Sequence, residues 1–340
     1  MMTKPVILTG IRANNDLHLG NYAGAMLPMV DMAGKQAGDY QFNFFVPDLH
    51  SFTTPIDHDS LYGQTLATVR MYAAAGLPMD HGDVHVYRQS RVPAHSELTW
   101  ILSCFTYFGE MSRMTQFKDK SQKTGGDNAS VGLFAYPILM AADILLYGAE
   151  YVPVGDDQTQ HLEFTRDIAD RMNNQFGQLF TLPKPVKEQH QFFGTEQGLR
   201  IRNLIDPTRK MDKSDETGKG VIFLSDPPET ARKKITGATT DSLGEIGYDY
   251  SRRPGISNLL DLLWLFGGDP EEFKGATQYG PLKQAVGEKV ADFLADFQSR
   301  LEQTDDETIK NVLADSEAAA DETARQRLHQ VQQAVGLRDN

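Results

Sequence analysis

Cysteine is almost missing from this 340-residue chain, with Cys104 its one thiol. A single thiol excludes an intramolecular disulfide and any cysteine-rich site, so no structural zinc is expected, and a reducing compartment is. Long apolar runs are missing as well. No stretch is long enough to span a bilayer, and the first residues do not read as a basic segment followed by an apolar one. The expectation is a soluble, cytoplasmic protein with no membrane partner. Neither repeats nor a low-complexity linker occur. Positive charge is short: 33 Lys and Arg against 46 Asp and Glu leave a net −13. Taken over the whole chain, that balance speaks against a nucleic-acid partner.

The deficit is uneven, however. Between Arg200 and Thr236, nine basic residues face six acidic ones, a local excess of +3. Polyanion binding follows local potential rather than total charge, so a nucleic-acid partner stays open. The composition that remains, 40% hydrophobic and 23% charged, fits a folded globular protein of one large or two ordinary domains.

Along the first 160 residues, VILTG, FNFFVPD, VHVYRQS and EYVPVG read as strands separated by helix-length segments such as SLYGQTLATVRMYAAAG. That alternation predicts an α/β fold with a parallel sheet and crossover helices. Ligands of such sheets gather at the carboxyl ends of the strands. Thr9 to His18, Asp48 with His50, and Gly155 to Gln158 fall there. From Glu97 to Tyr147 the pattern is mostly helical, broken by KDKSQKTGGDNAS. Beyond Asp226-Pro227, read as a helix cap and first turn, the chain is helical. Leu282, Val286, Val290, Phe293, Leu294, Phe297 and Leu301 recur at helical spacing, and Gly336 reads as a final helix stop.

Two motifs carry chemistry. In LTGIRANNDLHLGNYAG (8–24), His18 and Gly20 sit just before a helical pattern. One reading is an exposed loop histidine and a turn glycine. The other is a phosphate site, with helix-terminal amides, a glycine that admits a flat ligand, and an imidazole donor. In DPTRKMDKSDETGKG (206–220), Lys210 and Lys213 flank Met211 ahead of Ser214, with glycines at 218 and 220. It reads either as a charged surface turn or as a flexible loop that delivers two ammonium groups to a polyphosphate.

Together the motifs resemble the signatures of class I aminoacyl-tRNA synthetases. His18-Leu19-Gly20-Asn21 is similar to the first signature, and Lys210-Met211-Asp212-Lys213-Ser214 to the second, Lys-Met-Ser-Lys-Ser. The stretches 90–98, 109–121, 132–173 and 252–260 resemble the bacterial tryptophanyl family, and the resemblance runs from about residue 5 to 340. It implies a Rossmann-like parallel-sheet catalytic domain at 1–205 with a helical dimer-interface insert near 97–147. A mobile loop at 206–220 and a helical anticodon-binding domain at 221–340 would follow. It implies activation of L-tryptophan by ATP, transfer to tRNA(Trp), and a homodimer. Mg²⁺ would arrive with ATP, bound largely through the phosphates.

Carried over residue by residue, Arg12, His18, Gly20, Asn21, Gly155, Asp156 and Asp157 would hold ATP. Lys210, Met211, Lys213 and Ser214 would close on its phosphates, with Lys120 as an extra cation. Asp143 would accept the indole N–H; its other reading is a helix-face carboxylate bonded to backbone. Tyr136 and Gln158 would hold the substrate ammonium. Tyr136, Met140, Val152 and Val154 would line the pocket, or else be ordinary core, and His50 is either a pocket residue or a buried structural histidine. Three departures stand out: Arg12 replaces a family glutamine, Leu8 a larger aromatic of the pocket wall, and Asp212 the middle serine of the second signature. Asp212 would partly neutralise the two lysines or anchor the open loop. The rivals are a tyrosyl enzyme, a small-molecule nucleotidyltransferase and a non-catalytic tRNA-binding paralogue.

Overall fold

A computed structural model describes residues 4–13, 16–118, 129–155, 158–194, 199–213, 215 and 217–339. Strands β1 (Val6–Gly10), β2 (Gln41–Val46) and β3 (Val84–Arg88) form a parallel sheet in that order. Leu8 stands opposite Asn43, and Asn43 opposite His85. All but the first residue of β2 is buried, as a central strand covered on both faces requires. EYVPVG, expected as a fourth strand, is reduced to one parallel bridge between Ile7 and Tyr151. The Leu8 amide donates to the Tyr151 carbonyl at 2.9 Å, and Pro153, without an N–H, cannot extend the ladder.

The crossover after β1 is one helical run: α1 (Leu19–Asn21), a π turn (Tyr22–Met26) and α2 (Leu27–Gln36). Pro28 has no amide to donate, and its ring crowds the carbonyl of Gly24. A wider turn at that point accommodates both. Helix α3 (Asp48–Ser51) follows β2, and α4 (His58–Ala74) leads to β3. Then come α5 (Ala94–Cys104), α6 (Phe108–Met111), α7 (Val131–Leu146), α8 (Thr159–Phe176) and α9 (Val186–Phe193).

The later half contains α10 (Pro228–Thr236), α11 (Pro254–Leu265), α12 (Tyr279–Gln303) and α13 (Asp306–Ala334). Helix α10 is capped at Pro227, one residue later than expected. The Asp226 carboxylate does not cap it but accepts from the Phe223 amide at 2.9 Å and Lys234 Nζ at 2.7 Å. The expected stripe of α12 is buried at Leu282, Val286, Val290, Leu294 and Phe297, while Phe293 and Leu301 are half-buried. Gly336, with φ of 82°, follows the end of α13.

Two apolar cores flank the sheet. Ile7, Phe42, Phe44 and Val86 pack with Ile201, Met211, Ile222 and the apolar faces of α10, α11 and α12. Leu8, Phe45 and Tyr87 point the other way, toward α5, α7 and α8. Helix α13 serves both: Ile309 and Leu313 belong to the first core, Ala320, Ala324, Leu328 and Val331 to the second. Where it passes from one to the other, Glu317 holds Arg88 of β3 in a two-pronged pair, Nε at 2.6 Å and Nη2 at 2.9 Å.

Candidate active site

The chain leaves the carboxyl ends of β1, β2 and β3 toward Arg12 and His18, toward Asp48 and His50, and toward Gln89 and His95. The first departure builds one end of the site. His18 caps α1 with its ring, Nδ1 accepting from the Asn21 amide at 3.2 Å while Asn21 Oδ1 accepts from the His18 amide at 3.3 Å. Since Nδ1 is the acceptor, the ring proton sits on Nε2, which is left as the donor. Burial lowers the His18 pKa to about 4; Lys210 and Lys213 push the same way and Asp212 opposes them. The ring is therefore neutral at pH 7. Two amides of this first turn, those of Leu19 and Asn21, are already used within the protein, which narrows the helix-terminus part of the phosphate reading.

His18 also joins the two motifs. It forms an antiparallel bridge with Phe223, the Leu19 amide donates to the Ile222 carbonyl at 2.9 Å, and the Leu224 amide to the Leu17 carbonyl at 2.8 Å. The second motif is thus tied to the first just beyond its own end. Met211 is buried at the contact: a Cβ at Gly20 would meet the His18 ring at 3.0 Å and Met211 Cβ at 3.4 Å. The glycine is required by that close approach. Lys210 pairs with Arg202 in an antiparallel bridge, and the Met211 amide donates to the Ile201 carbonyl at 2.9 Å.

Lys213 is exposed, and its pKa is lowered by partial burial and by Arg12, with Asp212 opposing. Arg12, itself lowered by burial, is in turn supported by Tyr136. Arg12 therefore lies electrostatically between the lysine loop and the second end of the site. The base of the loop is fixed by Asp215, which accepts from the amides of Thr217 (2.9 Å) and Gly220 (2.8 Å), the Thr217 hydroxyl (2.6 Å) and Asn203 Nδ2 (3.1 Å). The Thr217 hydroxyl leads in lowering its pKa to about 2.

At the second end, Asp143 of α7 is 1% exposed and takes three donors: Gln89 Nε2 at 2.7 Å, His95 Nδ1 at 2.6 Å and His50 Nε2 at 2.8 Å. Burial opposes its charge, but the bonds from His50 and His95 win and lower the pKa to about 2. Its partners are side chains, not the backbone of its own helix. Tyr136 bonds His161 Nε2 at 2.7 Å and sets its ring edge-on to His50. Leu8, Val152 and Val154 are buried in the same core, with Met140 packed against it. Gly155 is exposed and its carbonyl accepts from the Gln158 amide at 2.8 Å, which places Gln158 at the start of α8.

Lys120, Asp156, Asp157 and Ser214 lie outside the described residues. The structure adds Gln89, His95, Tyr147 and His161 to the cluster around Asp143 and Tyr136. Only the SRVPAHSEL stretch pointed toward His95, and nothing local singled out Gln89. Among the described residues, no group of three or more His, Cys, Asp or Glu is placed to hold a metal ion.

A parallel sheet with a capped histidine joined to a distant lysine loop defines a class of enzyme, and residues 2–323 match the family described as tRNA synthetases class I (W and Y). The chain belongs to that family. Within it, the similarity is to tryptophan members. The chain is 44% identical to a tryptophan–tRNA ligase of Caldanaerobacter subterraneus subsp. tengcongensis, over 97% of this chain and 98% of that one. The crystal structure of tryptophanyl-tRNA synthetase from Mycoplasma pneumoniae superposes with a TM-score of 0.83 at 35% identity, across 99% of both chains. That of the Campylobacter jejuni enzyme, complexed with ADP and tryptophan, gives 0.80 at 31% identity, over 97% of this chain and 99% of that one.

Proposed function

We propose that this chain activates L-tryptophan with ATP and passes the tryptophanyl group to tRNA(Trp). One observation carries the reading: the backbone pairing of His18 with Phe223 brings the phosphate-binding candidates and the lysine loop to one place. In the first step a tryptophan carboxylate oxygen attacks the α-phosphorus. A carboxyl–phosphate bond forms, the bond to the bridging oxygen breaks, and pyrophosphate leaves with the electron pair. In the second, a ribose hydroxyl of the tRNA attacks the acyl carbon, AMP departs, and the hydroxyl proton is lost.

His18, through Nε2–H, and Asn21 hold phosphate oxygens, while Gly20 leaves room for the nucleoside, with Arg12, Gly155, Asp156 and Asp157 completing the ATP site. Lys210, Lys213, Ser214 and Lys120 meet the charge that grows on the departing pyrophosphate. ATP enters as its Mg²⁺ complex, the ion held through the phosphates. Asp143 accepts the indole N–H, Tyr136 and Gln158 take the ammonium, and Leu8, His50, Met140, Val152 and Val154 form the walls. Residues 1–205 work as the catalytic domain, 206–220 as its moving loop and 221–340 as the anticodon-reading part, in a cytoplasmic homodimer.

Amino-acid-dependent exchange of labelled pyrophosphate into ATP tests the reading. Tryptophan supports exchange and tyrosine and phenylalanine hardly do, since a site built to bond an N–H rejects analogues without it by up to ~10⁴–10⁵. Equal exchange with tyrosine overturns the assignment.

A further inference from the structure

Asp143 is a more elaborate acceptor than indole recognition by itself requires. Its two oxygens are treated differently. Oδ1 takes two donors, Gln89 Nε2 and His95 Nδ1, whereas among the described residues Oδ2 takes one, His50 Nε2. A carboxylate oxygen accommodates about two strong donors, so Oδ1 is full and Oδ2 has a lone pair to spare. Oδ2 is also the oxygen beside His50, whose ring stands edge-on to that of the pocket candidate Tyr136 at 6.2 Å between centroids.

Both donors to Oδ1 are themselves fixed from behind. Gln89 is anchored by its own Oε1, which accepts from the Leu49 amide at 3.2 Å and so aims its NH₂ at Asp143. His95, fully buried, has Nε2 at 3.0 Å from the Tyr147 hydroxyl. With Nδ1 donating to the carboxylate, Nε2 of a neutral ring is the acceptor for that hydroxyl. The Tyr147 O–H therefore selects the Nδ1–H tautomer, and burial, which raises the Tyr147 pKa, keeps the hydroxyl protonated.

We propose that His95 and Tyr147 are positioning residues for amino-acid selection: His95, oriented by Tyr147, completes with Gln89 the saturation of Oδ1 of Asp143 and leaves Oδ2, beside His50, as the acceptor for the indole N–H. The inference rests on the reading that Asp143 meets that N–H. It makes selectivity depend on a hydroxyl, an imidazole and a carboxylate in line, of which only the carboxylate touches substrate.

The test compares tryptophan with 3-(3-benzothienyl)alanine, in which sulfur replaces the indole N–H, in pyrophosphate exchange by the full chain. His95→Leu raises the tryptophan KM by about tenfold, the worth of a lost bond to a charged group, and changes the ATP and analogue KM by less than about twofold. Preference for tryptophan over the analogue falls by the same factor. His95→Asn, whose amide can stand in for Nδ1–H, restores most of it. Tyr147→Phe, the mildest change and the deciding one if His95→Leu fails to fold, lowers the preference by about threefold.

A KM that rises equally for both amino acids, or a loss of thermal stability alone, overturns the proposal. Asp143→Asn is measured alongside. If it leaves the preference intact, the indole reading fails and this inference falls with it. If it abolishes the preference while His95→Leu and Tyr147→Phe keep it, the inference alone fails.

Discussion

Lys213 stands where three charges meet. Arg12 and partial burial depress its pKa, and Asp212 supports it. Two cations held near each other gain most when a polyanion comes between them, and gain more as charge builds on the leaving group. Such interactions raise kcat more than they lower KM. Lys213→Ala is therefore expected to slow adenylation by ~10²–10³, with a smaller change in ground-state ATP affinity, as read by single-turnover kinetics and nucleotide titration. Asp212→Ser removes a negative charge beside both lysines and is expected to speed the step by a fewfold. A slower step would mean that Asp212 holds a loop cation in place. These lysines were legible because spacing and residue type lie within a few positions of each other. Asp143 was legible as a carboxylate in an apolar run, and His50, for which the sequence offered two readings, is buried and bonded to it. The partners of Asp143 were not legible: Gln89 is 54 positions away and His95 is 48, and no local pattern records a contact made by the fold.

The lysine loop behaves as an element with a fixed foot. Asp215 and Asn203 hold Gly220 so closely that a Cβ there would lie 2.1 Å from Asn203 Oδ1 and 2.3 Å from Asp215 Oδ2. Gly220→Ala must open that cradle, at about 1–3 kcal/mol for the strain of overpacking. The expected result is a Tm lowered by several degrees together with slower pyrophosphate exchange, because the foot sets where Lys210 and Lys213 arrive. Full exchange activity would show that the foot and the tip are independent. The larger elements read well from pattern alone: three strands, the crossover helices and the stripe of α12 follow apolar periodicity. The misses have single-residue causes. Pro153 stops the fourth strand, Pro28 converts a helical turn to a π turn, and Lys234 draws Asp226 away from the cap of α10.

At the scale of the whole molecule, α5, α6 and α7 each carry a large apolar side chain left exposed among the described residues. Trp100 is 73% exposed, Phe108 76% and Val131 81%, and the Phe108 ring lies 5.1 Å from that of Phe134. Exposed apolar side chains on this part of the chain are where a closed dimer is expected to form its seam. Sedimentation at micromolar protein should give about twice the 37.9 kDa chain, and Phe108→Glu should shift it toward the monomer. A wild-type chain sedimenting only as monomer would refute the dimer. The other global feature is α13, which closes both cores and grips Arg88 from 229 positions away. On a ribosome, β3 emerges long before the helix that must cover it. Until that helix is made, the part of β3 that it covers has no partner, and that apolar surface waits bare. A chain released before this helix has two unfinished cores rather than one missing domain, whereas one released a few turns early lacks contacts of the second core alone.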